Sequence, residues 1–177
     1  MSTPTPPPAG SIPGSVLADG TIAARWVPVL ANPLLPTLAE MNAAGSVDLS
    51  CYLTPTGLAV ATEEAAVNDD RLCSRETYEQ PGRITDTLEL TYVYDPQNKV
   101  PAENRAFVTL KRNTRGFIVC RWGVDFENPL AVADVLDVYP VTCGEQRKQP
   151  GEANSTLKTM QKMFVRARVR RDVVVAA

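Results

Sequence analysis

Apolar and polar positions alternate through most of the chain, and they do so with a period of two. Residues 21–30 (TIAARWVPVL) set Ile22, Ala24, Trp26 and Pro28 against Ala23, Arg25, Val27 and Val29. This predicts a strand that ends at Pro28 or lies at an edge, because proline cannot donate to a ladder. Residues 47–53 put Val47, Leu49, Cys51 and Leu53 on one face and Asp48, Ser50 and Tyr52 on the other. Residues 84–94 put Ile84, Asp86, Leu88, Leu90, Tyr92 and Tyr94 on one face, and Thr85, Thr87, Glu89, Thr91 and Val93 on the other. Further strands are predicted over 117–124, 134–141 and 155–175. The last alternates Val165, Ala167 and Val169 with Arg166, Arg168 and Arg170.

Punctuation completes the picture. Gln80-Pro81-Gly82-Arg83 between the β-prone runs 71–79 and 84–94 predicts a hairpin turn. Residues 54–70 contain Pro55, Gly57 and four acids, and predict a long irregular loop. Residues 142–152 predict a polar loop. Thr37 and Glu40 have the spacing of a capping box, and Gly45 suits a helix stop, so a short helix is expected over 37–44 with Leu38 and Met41 inward. A second helix is expected over 101–112. Its inner stripe is Ala106, Phe107 and Leu110. About seven strands, two short helices and no βαβ rhythm predict a mainly β fold. The expected form is an antiparallel β-sandwich or partial barrel with one or two short flanking helices.

Residues 1–20 stand apart. Pro4, Pro6, Pro7, Pro8 and Pro13 lie among Ser, Thr, Ala and Gly. This segment reads either as a disordered leader or as an arm that orders on a neighbouring subunit, with residues 21–177 as one β domain. From Met1 to Gly14 it has no Lys or Arg and no apolar core, so it does not read as a secretory signal. No apolar run reaches the ~20 residues that cross a bilayer.

Composition narrows the chemistry. The 177 residues include no histidine, 44% hydrophobic residues, 18 Lys+Arg and 20 Asp+Glu, a net charge of −2. Without histidine there is no Ser-His or Cys-His nucleophile pair and no imidazole metal ligand. Cys51, Cys73, Cys120 and Cys143 form no CxxC pair and are expected as reduced thiols of a cytoplasmic fold. Phosphate-binding loops and hydrolase motifs are absent too. No enzyme activity, cofactor, metal or catalytic residue is expected. Trp26 and Trp122 lie in apolar runs and are expected to be buried, which leaves no aromatic platform for a sugar or protein ligand.

Charge is nevertheless divided along the chain. Lys158, Lys162, Arg166, Arg168, Arg170 and Arg171 have no acid among them. Glu63, Glu64, Asp69, Asp70, Glu76, Glu79, Asp86 and Glu89 share their region with three arginines. Three readings stay open: two solvated faces, head-to-tail association of unlike surfaces, or nucleic-acid binding by the arginines. The association reading makes Arg166, Arg168, Arg170, Glu63, Glu64, Asp69 and Asp70 candidate inter-subunit contacts.

Four phrases, PLLPTLAEMNAAGSVDLSCYLT (33–54), NDDRLCSRETYEQPGR (68–83), LELTYVYDPQ (88–97) and DVLDVYPVTCGEQRKQPGEANSTLKTMQKMFVR (134–166), carry a family resemblance. Together they make the chain resemble the major tail (tail tube) proteins of long non-contractile-tailed bacteriophages of actinobacteria. The resemblance implies a β-sandwich with a flanking helix, similar to the type VI secretion tube protein. It also implies hexameric rings stacked head to tail into a hollow conduit for DNA ejection. Partners would be other copies, a tape-measure protein, a tail terminator and baseplate proteins. Double-stranded DNA would only pass through. The location would be the virion tail, assembled in the host cytoplasm, with no membrane. An acidic lumen would repel DNA, which makes Asp86 and Glu89 candidate lumen-facing residues. Another virion role (terminator, connector or capsid decoration) and a monomeric β-sandwich binding module are the competing expectations.

Overall fold

The computed structural model describes residues 14–177. The proposed arm lies mostly in residues 1–13, outside the described residues, and residues 14–20 are exposed. Among the described residues, eight strands and two short helices follow one another as β1 (Ile22–Val27), α1 (Leu38–Met41), β2 (Val47–Asp48), β3 (Leu53–Asn68), β4 (Glu79–Val93), α2 (Arg105–Thr109), β5 (Arg115–Trp122), β6 (Val135–Lys148), β7 (Lys158–Val165) and β8 (Arg170–Val174).

All eight strands form one antiparallel sheet in the order β2-β1-β5-β6-β7-β4-β3, with β8 also on β6. The two ends of that order, β2 and β3, are joined by only residues 49–52. Such a short link forces the sheet to curl until its ends nearly meet. The Leu49 amide donates to Ala24 O (2.8 Å) on one side of the link, and the Val93 amide to Tyr52 O (2.9 Å) on the other. No ladder joins β2 to β3, so the result is an open, partial barrel and not a closed one.

Alternation then decides what fills it. Leu88, Leu90 and Tyr92 of β4 are fully buried, as expected from their shared face. They pack with Ala24, Trp26, Ile118, Tyr139 and Met163 around the inner core, which α2 plugs with Ala106 and Leu110. Two glutamines fasten the plug. Gln161 donates to Leu110 O (2.7 Å) and Gly144 O (3.0 Å) and accepts from the Tyr92 hydroxyl (3.0 Å). Gln146 donates to Phe107 O (2.8 Å). The opposite faces of β1, β5, β6 and β8 are also apolar. Val27, Val119, Leu136, Val138 and Val173 form a second core, closed by Met41 of α1.

Helix α1 has the predicted capping box. The Glu40 amide donates to Thr37 Oγ1 (3.3 Å), and the Thr37 amide donates to the Glu40 carboxylate (3.0 Å). The Ala31 amide adds a third bond (2.7 Å). Bonds from the Ala31 amide first, then from Thr37, hold the Glu40 carboxyl below the ordinary glutamate value. A depressed folded pKa contributes stability above the unfolded value, about 4.3, and loses it as pH falls through the folded value. Glu40→Gln is therefore expected to lower stability by about 1 kcal/mol at pH 7, the usual size of a cap. The difference from wild type should shrink as urea denaturation is repeated below pH 4.

Several expected boundaries are corrected. Residues 54–70 are not an irregular loop: nearly all belong to β3, the longest strand, paired with β4 from Leu53↔Tyr92 to Asn68↔Glu79. The turn of that hairpin is at 69–78, not 80–83. Pro81 and Gly82 lie inside β4, where the register shifts between Glu64 and Ala66. A Cβ on Gly82 would meet Ala65 O at 2.5 Å, so the glycine serves a bulge there and not a turn. The strand expected over 47–53 stops at Asp48, and Cys51 is exposed in the turn. Helix α2 is shorter than 101–112. The Asn104 side chain binds Asp95 and Asn98 backbone groups and closes the preceding loop.

Strand β6 runs on through residues 142–148, expected as loop, by pairing with β7. The single strand expected over 155–175 is two. Strands β7 and β8 lie end to end along β6 and part opposite Pro140, which has no N–H to give. Trp122 is 43% exposed, not buried, with Nε1 donating to Asp137 (3.0 Å).

Candidate assembly interface

Strand β4 keeps two neighbours only over residues 88–93, where β7 pairs with it. From residue 87 back to 79 its sole partner among the described residues is β3. A two-stranded ribbon therefore leaves the body at Leu88. Every residue of β3 from 61 to 68 is exposed except for its backbone pairing. Isolated two-stranded ribbons are marginal in water. This one also carries exposed Val67, Tyr78 and Ile84, and Leu72 stands wholly in solvent in the turn. About half the surface of Val67, Tyr78 and Ile84, and all of Leu72, is left uncovered within the protomer.

The sequence candidates fall at three places. Glu63 and Glu64 are on the shaft of the ribbon, opposite Thr85 and Ile84. Asp69 and Asp70 are at its tip, where the Asp69 carboxylate pairs with Arg71 (2.8 Å) and accepts from Gln80 (3.2 Å). Arg166 and Arg168 lie in the link between β7 and β8, and Arg170 opens β8 opposite Val138. The arginines are thus gathered, but none of the tip acids is beside them in the same register.

Asp86 and Glu89 are separated by the pleat of β4. Asp86 shares the face of Leu88 and sits at the root of the ribbon. Its carboxylate accepts from Arg171 and from Thr62 Oγ1 (2.8 Å). The hydrogen bond to Asp86 raises the Arg171 guanidinium above its ordinary value and keeps it charged. Asp86, Thr62 and Arg171 thereby clasp the ribbon to β8. Glu89 faces the other way, with Ala59 and Lys162 as cross-strand neighbours.

Sequence alone did not mark Leu72, Tyr78 or Ile84 as contact residues, and it placed Arg171 in the basic run without its partner. Ile84 alternates in step with Asp86 and was the visible signal. Arg171 is 85 residues from its partner, and nothing local marks that pairing.

The two buried thiols are not activated. Burial pushes the Cys143 thiol up to about 12, and raises Cys120 as well, so neither is a thiolate. Among the described residues, no three His, Cys, Asp or Glu side chains are grouped to hold a metal, and no helix is long and apolar enough to cross a membrane.

The model of a family described as phage tail tube protein matches residues 10–177. No curated protein matches. Among solved structures, a chain of the anti-feeding prophage baseplate (cryo-EM, 6-fold symmetrised) is similar with a TM-score of 0.52. It is 8% identical over 96% of both chains. The sheath/tube terminator of an extracellular contractile injection system, PVC, in the extended state, gives 0.46 at 10% identity, over 92% of this chain and 98% of that one. The tube-terminating cap of the anti-feeding prophage gives 0.45 at 12%, over 91% and 94%. The family is a structural one, not a family of enzymes, and its members are components of the phage tail. Its model spans both cores, the ribbon and the arginine link, so the chain belongs to the phage tail tube protein family.

Proposed function

We propose that copies of this chain form hexameric rings that stack head to tail into the hollow tube of a long phage tail, through which double-stranded DNA passes on ejection. Assembly takes place in the host cytoplasm, on a tape-measure protein, from a baseplate at one end to a terminator at the other. The observation that carries this reading is the two-stranded ribbon. It extends past the body with exposed apolar side chains and, among the described residues, with one edge of β4 unpaired from residue 79 to 87. An open sheet edge is a template for another chain, and a closed ring is one way to remove it. The ribbon also differs in shape and charge from the rest of the surface, which favours unlike-surface contacts that repeat without closing.

The face of β4 that carries Thr85, Thr87, Glu89 and Thr91 is the candidate lumen wall. Hydroxyls and a carboxylate beside Lys162 offer DNA no unbroken basic track. Asp86 is tied down on the other face and is kept for the clasp.

Helical reconstruction of the purified polymer tests the reading. It should give six subunits per ring, rings stacked in one direction, and Glu89 on the inner wall. A closed ring that never stacks would assign the chain to a tube end instead. A different rotational symmetry would overturn the hexamer.

A further inference from the structure

At the root of the ribbon lies a groove of about 820 Å³, walled by residues 84–86, by the 165–171 link and by Leu34. Its charge is one-sided. Arg166, Arg168, Arg170 and Arg171 line it with a single carboxylate, Asp86, which is already bound to Arg171. Arg166 lies over the Phe117 ring, 5.5 Å from its centroid. Among the described residues, Arg168 and Arg170 have no ion-pair partner. The floor is apolar, made by Val165, Val169 and Val173, and the rim holds the exposed side chains of Ile84 and Leu34.

The far end of the ribbon is its complement. Residues 63–79 carry Glu63, Glu64, Asp69, Asp70, Glu76 and Glu79 against Arg71 and Arg75, and Arg71 is already held by Asp69. Leu72 and Tyr78 are exposed beside these acids. A protomer cannot bring its own tip to its own groove. Asp86 and Glu79 are seven residues apart on one strand, about 24 Å at ~3.4 Å per residue.

We infer that the hairpin tip of one copy docks in the arginine groove of the next. Leu72 and Tyr78 rest on the valine floor, and the tip carboxylates lie between Arg168 and Arg170. The inference rests on the tube reading and names the contact that propagates it. DNA is the other polyanion that four arginines could face. The apolar floor and rim favour a peptide loop that brings its own apolar side chains, because contacts to a phosphate backbone are polar.

The test uses the full chain carrying Cys51→Ser, which leaves Cys73 in the hairpin turn as the exposed thiol. Ala167→Cys adds a second thiol in the groove. Mild oxidation with copper–phenanthroline under polymerising conditions should give a ladder of inter-chain disulfide oligomers on a non-reducing gel. The ladder should vanish when Cys73 is also changed to Ser. Separately, Arg168→Glu with Arg170→Glu should abolish polymer, and adding Asp70→Lys with Glu76→Lys should restore it. All variants are first required to match the wild-type circular dichroism and melting curve. Tubes without the disulfide ladder overturn the inference and leave the tube reading intact, whereas absence of any wild-type polymer overturns the tube reading itself. Reversal variants that polymerise normally, or a swap that fails to restore polymer, overturn the inference. Normal tubes that deliver DNA poorly would assign the arginines to nucleic acid instead.

Discussion

Replacing residues 64–84 by Asn-Gly is expected to leave a folded monomer that no longer polymerises at any concentration. The cut follows the register. Glu63 and Thr85 are paired and become the closing pair of a two-residue hairpin, for which Asn-Gly is the favoured turn. Thr62 and Asp86 stay, so the clasp to Arg171 is kept. None of the residues removed contributes to either core. Stability by urea denaturation should therefore change by no more than about 1 kcal/mol, in keeping with surface changes generally. Assembly should be lost outright, because the excised segment carries both the tip acids and Leu72 and Tyr78. Polymers of wild-type length from this variant, seen by negative-stain microscopy, would remove the ribbon from the assembly.

The second large effect concerns a single buried cation far from that ribbon. Arg121 is 3% exposed at the end of β5. Its guanidinium donates to Asp134 Oδ2 (2.9 Å) and to the carbonyls of Pro129 (3.2 Å), Asp125 (2.9 Å) and Asn128 (2.7 Å). It thereby organises the whole connection from β5 to β6. Arg121→Met keeps much of the volume and removes the charge. It leaves the Asp134 carboxylate with the Ala131 amide (3.0 Å) and takes the donor from three inward carbonyls, a loss of about 3 kcal/mol, the lower end for a broken buried pair because Asp134 is only partly buried. That is a large part of the ~5–15 kcal/mol of an ordinary domain. Urea midpoints should show it, and Arg121→Lys should rescue only part, because an ammonium cannot reproduce the planar fork. Adding Asp134→Asn to Arg121→Met should recover some stability. A change below about 1 kcal/mol in Arg121→Met would show that solvent already satisfies those carbonyls.

What the sequence revealed follows burial. The core face of β4 was plain because Leu88, Leu90 and Tyr92 are buried while Thr87, Glu89 and Thr91 are less so, and that contrast is what alternation records. The α1 cap was plain because both of its partners are local. Strand β3 was not, because past Leu58 its side chains are largely in solvent on both faces and nothing selects an alternating pattern. Its β form comes from pairing with β4, a tertiary effect that overrides the poor strand propensity of Pro55, Gly57 and the two glutamates. Pro81-Gly82 imitated a turn. It is tolerated in β4 because that stretch has a free edge, where a missing N–H leaves no ladder bond unmade. The groove was half visible. The arginine alternation could be read, but the parting of β7 from β8 opposite Pro140, and the Asp86 clasp across the fold, could not.

The subunit count in intact particles tests most directly whether this chain is the repeating brick of a tube. Quantitative mass spectrometry of purified virions, in a series whose tails differ in length, should find copies far in excess of a single ring, rising in proportion to tail length. A count equal to one ring, unchanged as the tail lengthens, would contradict the account.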